Sequence, residues 1–216
     1  VTQTASTALN PAIALSAVDT SNYQKHTHAN PMQRRLIDRF HRVIVAKIAE
    51  LAPATFLDAG CGEGFVADIV LRQMPGLKLA GFDFNPDSVD AARAMVPGAT
   101  FEVASILEIP FPDNSFDLVG CFEVLEHQLD PGAALQELIR VSKRAVILSV
   151  PHEPYFCMAN ILRGKNLNIR PRGSDSDHKQ FWTRRAFGDF VGQQLDVQWL
   201  GGSMPWTICI ATKRQT

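Results

Sequence analysis

The chain has 216 residues, 46% of them hydrophobic and 20% charged, with a formal net charge of −1. That is enough polypeptide for one α/β domain with a full core, and the composition is ordinary for a soluble globular protein. The near-neutral balance excludes a global field drawing the chain to nucleic acid or an anionic membrane, and no apolar run reaches the roughly 18 residues of a membrane span.

Residues 1–30 read as a flexible N-terminal arm. Val1–Thr20 is rich in Ala, Ser and Thr and lacks the charged start and long apolar stretch of a signal peptide. Pro31–Leu51 follows, with Leu36, Phe40, Val43, Ile44 and Ile48 at helical spacing, Pro31 in the first turn and Pro53 after the end. Thr55–Asp58 reads as a strand. Asp58-Ala59-Gly60-Cys61-Gly62-Glu63-Gly64 is then a glycine loop opening a helix over Phe65–Gln73. Leu77–Asp83 is a second strand, and Asn85-Pro86-Asp87-Ser88 starts a helix to Met95. Thr100–Val103 and Ser115–Phe122 are strands, Asp130-Pro131 opens a helix to Arg140, and Arg144–Val150 is an apolar fifth strand. Arg163–His178, rich in Gly, Asn, Arg, Ser and Asp, has the character of a lid loop. Thr183–Val191 is a last helix, and Leu195–Leu200 and Trp206–Thr212 are closing strands. Strands alternating with helices predict an α/β fold: a doubly wound, mostly parallel, seven-stranded sheet in one domain, with a core over residues 54–150 and an acceptor-side lid over about 151–182.

Ligands in such sheets bind beyond the carboxyl ends of the strands. A loop of free backbone N–H groups at a helix N-terminus is an anion site, but Asp58 beside it suits a ligand with a cationic amine better than a pyrophosphate. The spacing G-x-G-x-G, with Phe65 where a third glycine would stand, departs from the dinucleotide fingerprint. Asp83 is placed to accept hydrogen bonds from ribose hydroxyls, Phe84 to stack on a base, and Ser105-Ile106 to read and pack against its edge. Phe122, Glu123 and His127 project from the end of strand four. His127, His152 and His178 are candidate general bases, His178 with Asp177 to orient it. Glu153 stands beside His152 at the same mouth. The absence of H-E-x-x-H and of any Cys/His pair at ligand spacing predicts no metal. The four cysteines, Cys61, Cys121, Cys157 and Cys209, form no C-x-x-C and fit a reduced, cytoplasmic setting. Cys61 reads as a small loop residue rather than a nucleophile.

Five motifs in order resemble the class I S-adenosylmethionine-dependent methyltransferases, of the small-molecule group that includes the ubiquinone-biosynthesis enzymes. They are Leu57–Gly64; Gly81-Phe82-Asp83 with Asn85-Pro86; Ile109–Asp117; Glu123-Val124-Leu125-Glu126-His127; and Glu137-Leu138-Ile139-Arg140-Val141. The resemblance implies S-adenosylmethionine as methyl donor, with S-adenosylhomocysteine as product and no metal. Asp58, Gly60, Gly62 and Gly64 would hold its methionine part, Asp83 its ribose, and Phe84, Ser105 and Ile106 its adenine. Phe122 and Glu123 would lie under the methionyl end, and Tyr23 would close over the carboxylate. It implies transfer to a small-molecule acceptor, an oxygen first among the choices.

Arg163, Lys165, Arg170 and Arg172 read either as a solvated loop or as recognition of an anionic acceptor, and Phe181, Trp182, Trp199 and Trp206 either as core, which fits most of them, or as the lining of an apolar or aromatic acceptor pocket. An RNA or protein methyltransferase, a non-catalytic S-adenosylmethionine-binding protein and an NAD-dependent oxidoreductase are the rival readings. The slight negative charge and the lack of an RNA-binding module weigh against nucleic acid.

Overall fold

The computed structural model describes residues 31–214 apart from Arg163, Lys165, Arg170 and Arg172. The N-terminal arm, Tyr23 within it, and the four cations of the basic stretch therefore lie outside the described residues.

The elements, in chain order, are α1 (Pro31–Leu51), β1 (Thr55–Ala59), α2 (Phe65–Gln73), β2 (Lys78–Asp83), α3 (Pro86–Met95), β3 (Thr100–Val103) and β4 (Phe116–Phe122). A short 3₁₀ turn (Leu125–His127) follows, then α4 (Pro131–Val141), β5 (Ser142–Pro151), α5 (Tyr155–Leu162), α6 (Arg184–Gly192), β6 (Asp196–Ser203) and β7 (Trp206–Thr212). One seven-stranded sheet runs in the order β3-β2-β1-β4-β5-β7-β6. β1 to β5 pair in parallel, and β7 runs antiparallel to both β5 and β6. The dinucleotide-binding order 3-2-1-4-5-6 lacks that reversed strand. Among the described residues, no helix is long and apolar enough to cross a membrane.

Period-two alternation sends successive strand residues to opposite faces. Phe56 and Ile147 join a core under α1, α2 and α3, and Leu57 and Leu148 join a core under α4 and α6. Both faces are covered, which is why the central strands read as continuous apolar runs. Caps follow the sequence signals. Asn85 accepts from the Asp87 N–H and Asp130 from the Ala133 N–H, each followed by Pro in the first turn of its helix.

α5 is absent from the predicted elements. Its residues are apolar apart from Asn160, so no polar face reveals a helical period. Tyr155, Met158, Ile161 and Leu162 remain exposed.

The Glu137…Arg140 motif is a clamp. Arg140 donates to the carbonyls of Ile109 (2.9 Å) and Phe111 (2.8 Å), to Asp113 Oδ1 (2.9 Å) and to Glu137 Oε1 (2.6 Å). Glu137 Oε2 in turn accepts from the Ile109 N–H at 2.9 Å. One guanidinium thus fixes the connection from β3 to β4, and with it the height at which β4 delivers its carboxyl end. Arg140→Ala is expected to lower stability by about 2–3 kcal/mol in urea unfolding, because charge-assisted hydrogen bonds are lost and carbonyls orphaned. A change below about 0.5 kcal/mol would show the clamp to be ornamental.

Candidate active site

The carboxyl ends of β1, β2 and β4 lie side by side, with Ala59 in register with both Phe82 and Cys121. Past them opens a cleft of about 670 Å³, within the range of sites for drug-sized ligands. The glycine loop forms its floor. Gly60, Gly62 and Gly64 have φ of 76°, 51° and 85°, the left-handed region glycine enters without penalty. Gly60 also has no room: a Cβ there would stand 2.4 Å from Val124 Cγ2.

The loop does not present the free N–H groups expected of it. Gly60 and Cys61 donate to the Phe82 carbonyl (2.8 and 2.9 Å), Gly64 donates to the Cys61 carbonyl (3.0 Å), and Gly62 donates to Asp83 Oδ2 (2.9 Å). The first, second and last of these bonds tie the loop to β2 and the Gly64 bond closes the loop on itself, so the floor is shaped by glycine but its chemistry comes from acids.

Asp58 is buried at the end of β1, and its Oδ2 accepts no hydrogen bond among the described residues. Burial, reinforced by the nearby charge of Asp83, pushes its carboxyl up to about 7. Asp83 accepts from Gly62 through Oδ2 and from the Asn85 N–H through Oδ1, both at 2.9 Å. Burial raises its carboxyl too, opposed by those two donors. Glu63, fully buried behind the loop, accepts from Ser88 Oγ at 3.2 Å. In the sequence Glu63 is an ordinary loop residue, with no signal that its carboxylate turns inward.

Phe84 is 80% exposed on the cleft wall. Ile106 is buried opposite, and exposed Ser105 accepts from the Leu107 N–H at 3.1 Å. Phe122 and Glu123 line the far end. Glu123 takes φ 59°, a conformation costing a non-glycine residue roughly 1–2 kcal/mol. Ser149 holds it there: the Glu123 N–H donates to the Ser149 carbonyl (3.1 Å), and Glu123 Oε1 accepts from Ser149 Oγ (3.0 Å).

The three candidate histidines separate. His127 lines the cleft, with Nδ1 3.2 Å from Asp177 Oδ2. His178 is buried one layer behind, its ring centroid 5.0 Å from that of His127. Asp177 therefore faces His127, and His178 Nε2 lies 3.7 Å from Asp175 Oδ2. His152 is not on the cleft; it packs against Tyr155, and burial together with Arg184 lowers its pKa. Glu153 is also buried away from the cleft, accepting from the Cys157 N–H at 3.3 Å. Pro151 and Pro154 thus turn the chain into α5 rather than toward the mouth.

The aromatic acceptor pocket does not form from the expected rings. Trp182 packs on Phe187 and Phe190, Trp206 on Phe40, and Trp199 under the Lys47 ammonium. Phe181 is partly exposed on the far side of His178 and does not line the cleft. Cys61 sits in the loop with its thiol pushed up by burial and by Asp58, the opposite of what a nucleophile needs.

Residues 57–150 match the family model described as "Methyltransferase domain". A probable S-adenosylmethionine-dependent methyltransferase of Mycolicibacterium smegmatis is 34% identical over 48% of this chain and 40% of its own length. Demethylmenaquinone methyltransferase of Thermus thermophilus is 34% identical over 54% of this chain and 56% of its own. The chain thus spans about half the length, or less, of these curated relatives. Among solved structures, magnesium protoporphyrin IX methyltransferase from Synechocystis with bound SAM superposes with a TM-score of 0.67 at 16% identity, over 97% of this chain and 100% of that one. The PH0226 protein of Pyrococcus horikoshii gives 0.69 at 15% identity, over 91% and 100%.

The raised Asp58 pKa has a defined consequence for stability. The folded state holds its proton more tightly than the unfolded chain, so stability falls as pH rises from about 4 to about 7 and is flat beyond. Asp58→Asn removes this loss. In thermal melts without ligand, the variant should match the parent near pH 4 and exceed it increasingly up to pH 7. Parallel curves would show that Asp58 carries no buried charge.

Proposed function

We propose that this chain, whose residues 57–150 match the family model described as "Methyltransferase domain", is a class I S-adenosylmethionine-dependent methyltransferase that transfers a methyl group from S-adenosylmethionine to the oxygen of a small-molecule acceptor. When bound, S-adenosylmethionine supplies a methyl group already activated as an electrophile on its sulfonium.

The observation that carries this reading is the pair of acids at the ends of β1 and β2. Asp58 brings a buried carboxylate oxygen without a hydrogen bond among the described residues into the cleft, and a cationic amine would satisfy it. Such a ligand lowers the cost of holding Asp58 ionised, so binding and charge are coupled. Asp83 spends one lone pair of each oxygen on the loop and keeps one on each for the paired hydroxyls of a ribose. Phe84 and Ile106 would enclose the flat apolar base, with the Ser105 hydroxyl at its edge. Glu123, pinned by Ser149, would stand by the methionyl end. These residues orient the donor and exclude water, which is most of what methyl transfer asks of a protein. Tyr23 and the basic residues from Arg163 to Arg172 remain proposals for the carboxylate and for an anionic acceptor.

On the acceptor side, His127 is the candidate histidine that reaches the cleft, with Asp177 behind it to fix the ring. We assign it the role of handling the acceptor hydroxyl.

Two measurements test this. In calorimetry, Asp83→Ala should weaken S-adenosylmethionine binding by about 100-fold or more, the value of two charge-assisted hydrogen bonds; unchanged affinity sinks the ribose assignment. In turnover assays with an acceptor found by mass-shift screening, His127→Ala should lose roughly 100-fold or more while donor affinity stays within about twofold. His152→Ala should keep near-parental rates. Equal rates for both variants remove His127 from the chemistry.

A further inference from the structure

The 3₁₀ turn after β4 and the segment before α6 are stitched together by backbone. The Lys179 and Gln180 N–H groups donate to the Glu126 carbonyl at 2.7 and 3.0 Å, and Gln180 Nε2 donates to the Gln128 carbonyl at 3.1 Å. This register brings His178 against Glu126 and His127, far from it in sequence. The three side chains offer two imidazole nitrogens and one carboxylate oxygen, all within 4.8 Å of one another. Glu126 and His178 are 2% exposed, and His127, at 27%, faces the cleft.

We propose that Glu126, His127 and His178 bind a divalent first-row transition cation at the acceptor end of the cleft. Ligand atoms about 2.1 Å from a shared ion stand roughly 3–3.5 Å apart. His127 Nε2 and Glu126 Oε1 are already 3.9 Å apart, so small side-chain rotations close the set. Two imidazoles and one carboxylate suit zinc, iron(II) or manganese(II) and leave coordination positions open. A carboxylate also stands near each imidazole, where a hydrogen bond formed on metal binding would orient the ring. Asp177 Oδ2 is 3.2 Å from His127 Nδ1, and Asp175 Oδ2 is 3.7 Å from His178 Nε2. Asp175 is itself fixed, its Oδ1 accepting from Asn166 Nδ2 at 2.7 Å. Exposed Lys179 is the nearby cation of the same segment, and it lines the cleft. The three ligands form no H-E-x-x-H or short-spaced pair, which is why the sequence predicted no metal.

The position gives the ion a role that rests on the methyltransferase reading. An open site beside the cleft would take the acceptor oxygen as a ligand and lower its pKa so that the hydroxyl proton passes to solvent water; the oxygen would then form its bond to the methyl carbon as the carbon–sulfur bond of the donor breaks and the neutral thioether leaves. His127 then acts as a ligand rather than as a base.

The test uses the full chain, stripped with chelator and dialysed. Zn²⁺ and Mn²⁺ are titrated by calorimetry, and Co²⁺ by its visible absorption. We expect one equivalent of at least one of these ions, with cobalt bands showing nitrogen ligation. Glu126→Gln, His127→Asn and His178→Asn should each weaken that binding at least tenfold, while His152→Ala leaves it unchanged. Circular dichroism confirms folding, and Glu126→Gln and His127→Asn carry the test if the buried His178 variant fails to fold. Absence of stoichiometric binding, or binding unaltered in the folded ligand variants, overturns the site. S-adenosylhomocysteine titrated into the same samples separates the two proposals. Metal binding without nucleoside binding leaves the site and removes the methyltransferase role; nucleoside binding without metal does the reverse.

Discussion

The carboxylate of Asp83 holds the site in shape. One oxygen takes the Gly62 N–H and the other the Asn85 N–H, so a single side chain at the end of β2 joins the glycine loop to the start of α3. Gly60 and Cys61 add their hydrogen bonds to the neighbouring Phe82 carbonyl. The loop can close this tightly only because its glycines accept positive φ and because Gly60 leaves space for Val124. The cost is electrostatic. Gathering the donors onto Asp83 leaves Asp58 nearby without a hydrogen bond at Oδ2 among the described residues, in a place where burial and a second acid both oppose its charge. The electrostatic cost of the site falls there, and a cationic ligand would relieve it.

Most of this half was legible in the sequence because it is local. Gly60, Gly62 and Gly64 announce positive φ, Asn85-Pro86 announces a cap, and alternating strands and helices fix which ends face the ligand. The error lay in what the loop's N–H groups do. Sequence pattern shows that they leave the strand ladder, but not that a neighbouring strand end consumes them. The Glu137…Arg140 motif was likewise visible as a motif and opaque as a mechanism, since its partners at Ile109, Phe111 and Asp113 meet it only through the packing of α4.

The acceptor half was poorly legible, for two physical reasons. α5 is apolar nearly all round, so its period leaves no trace. The histidines depend on tertiary register: His178 reaches Glu126 and His127 through the backbone bonds of Lys179 and Gln180, and His152 is carried away by the turn into α5. Neighbours in sequence proved poor guides, since Asp177 serves His127 rather than the adjacent His178.

Charge unites the two halves. Among the described residues lining the cleft, Asp58, Glu63, Asp83, Glu123 and Asp177 are acids, and Lys179 is the one lysine or arginine. An electron-rich nucleophile or an anionic acceptor entering alone would meet that surplus as repulsion, which grows as water is excluded. A cationic donor would offset part of it at the Asp58 end. At the Glu126 end a divalent cation would offset the rest, turning a wall of carboxylates from an obstacle to an acceptor oxygen into the frame that holds its counter-charge. On this account the acids are distributed by task. Those at the ends of β1 and β2 would select the proposed donor, and those around the 3₁₀ turn would position the proposed ion that makes an acceptor oxygen tolerable there.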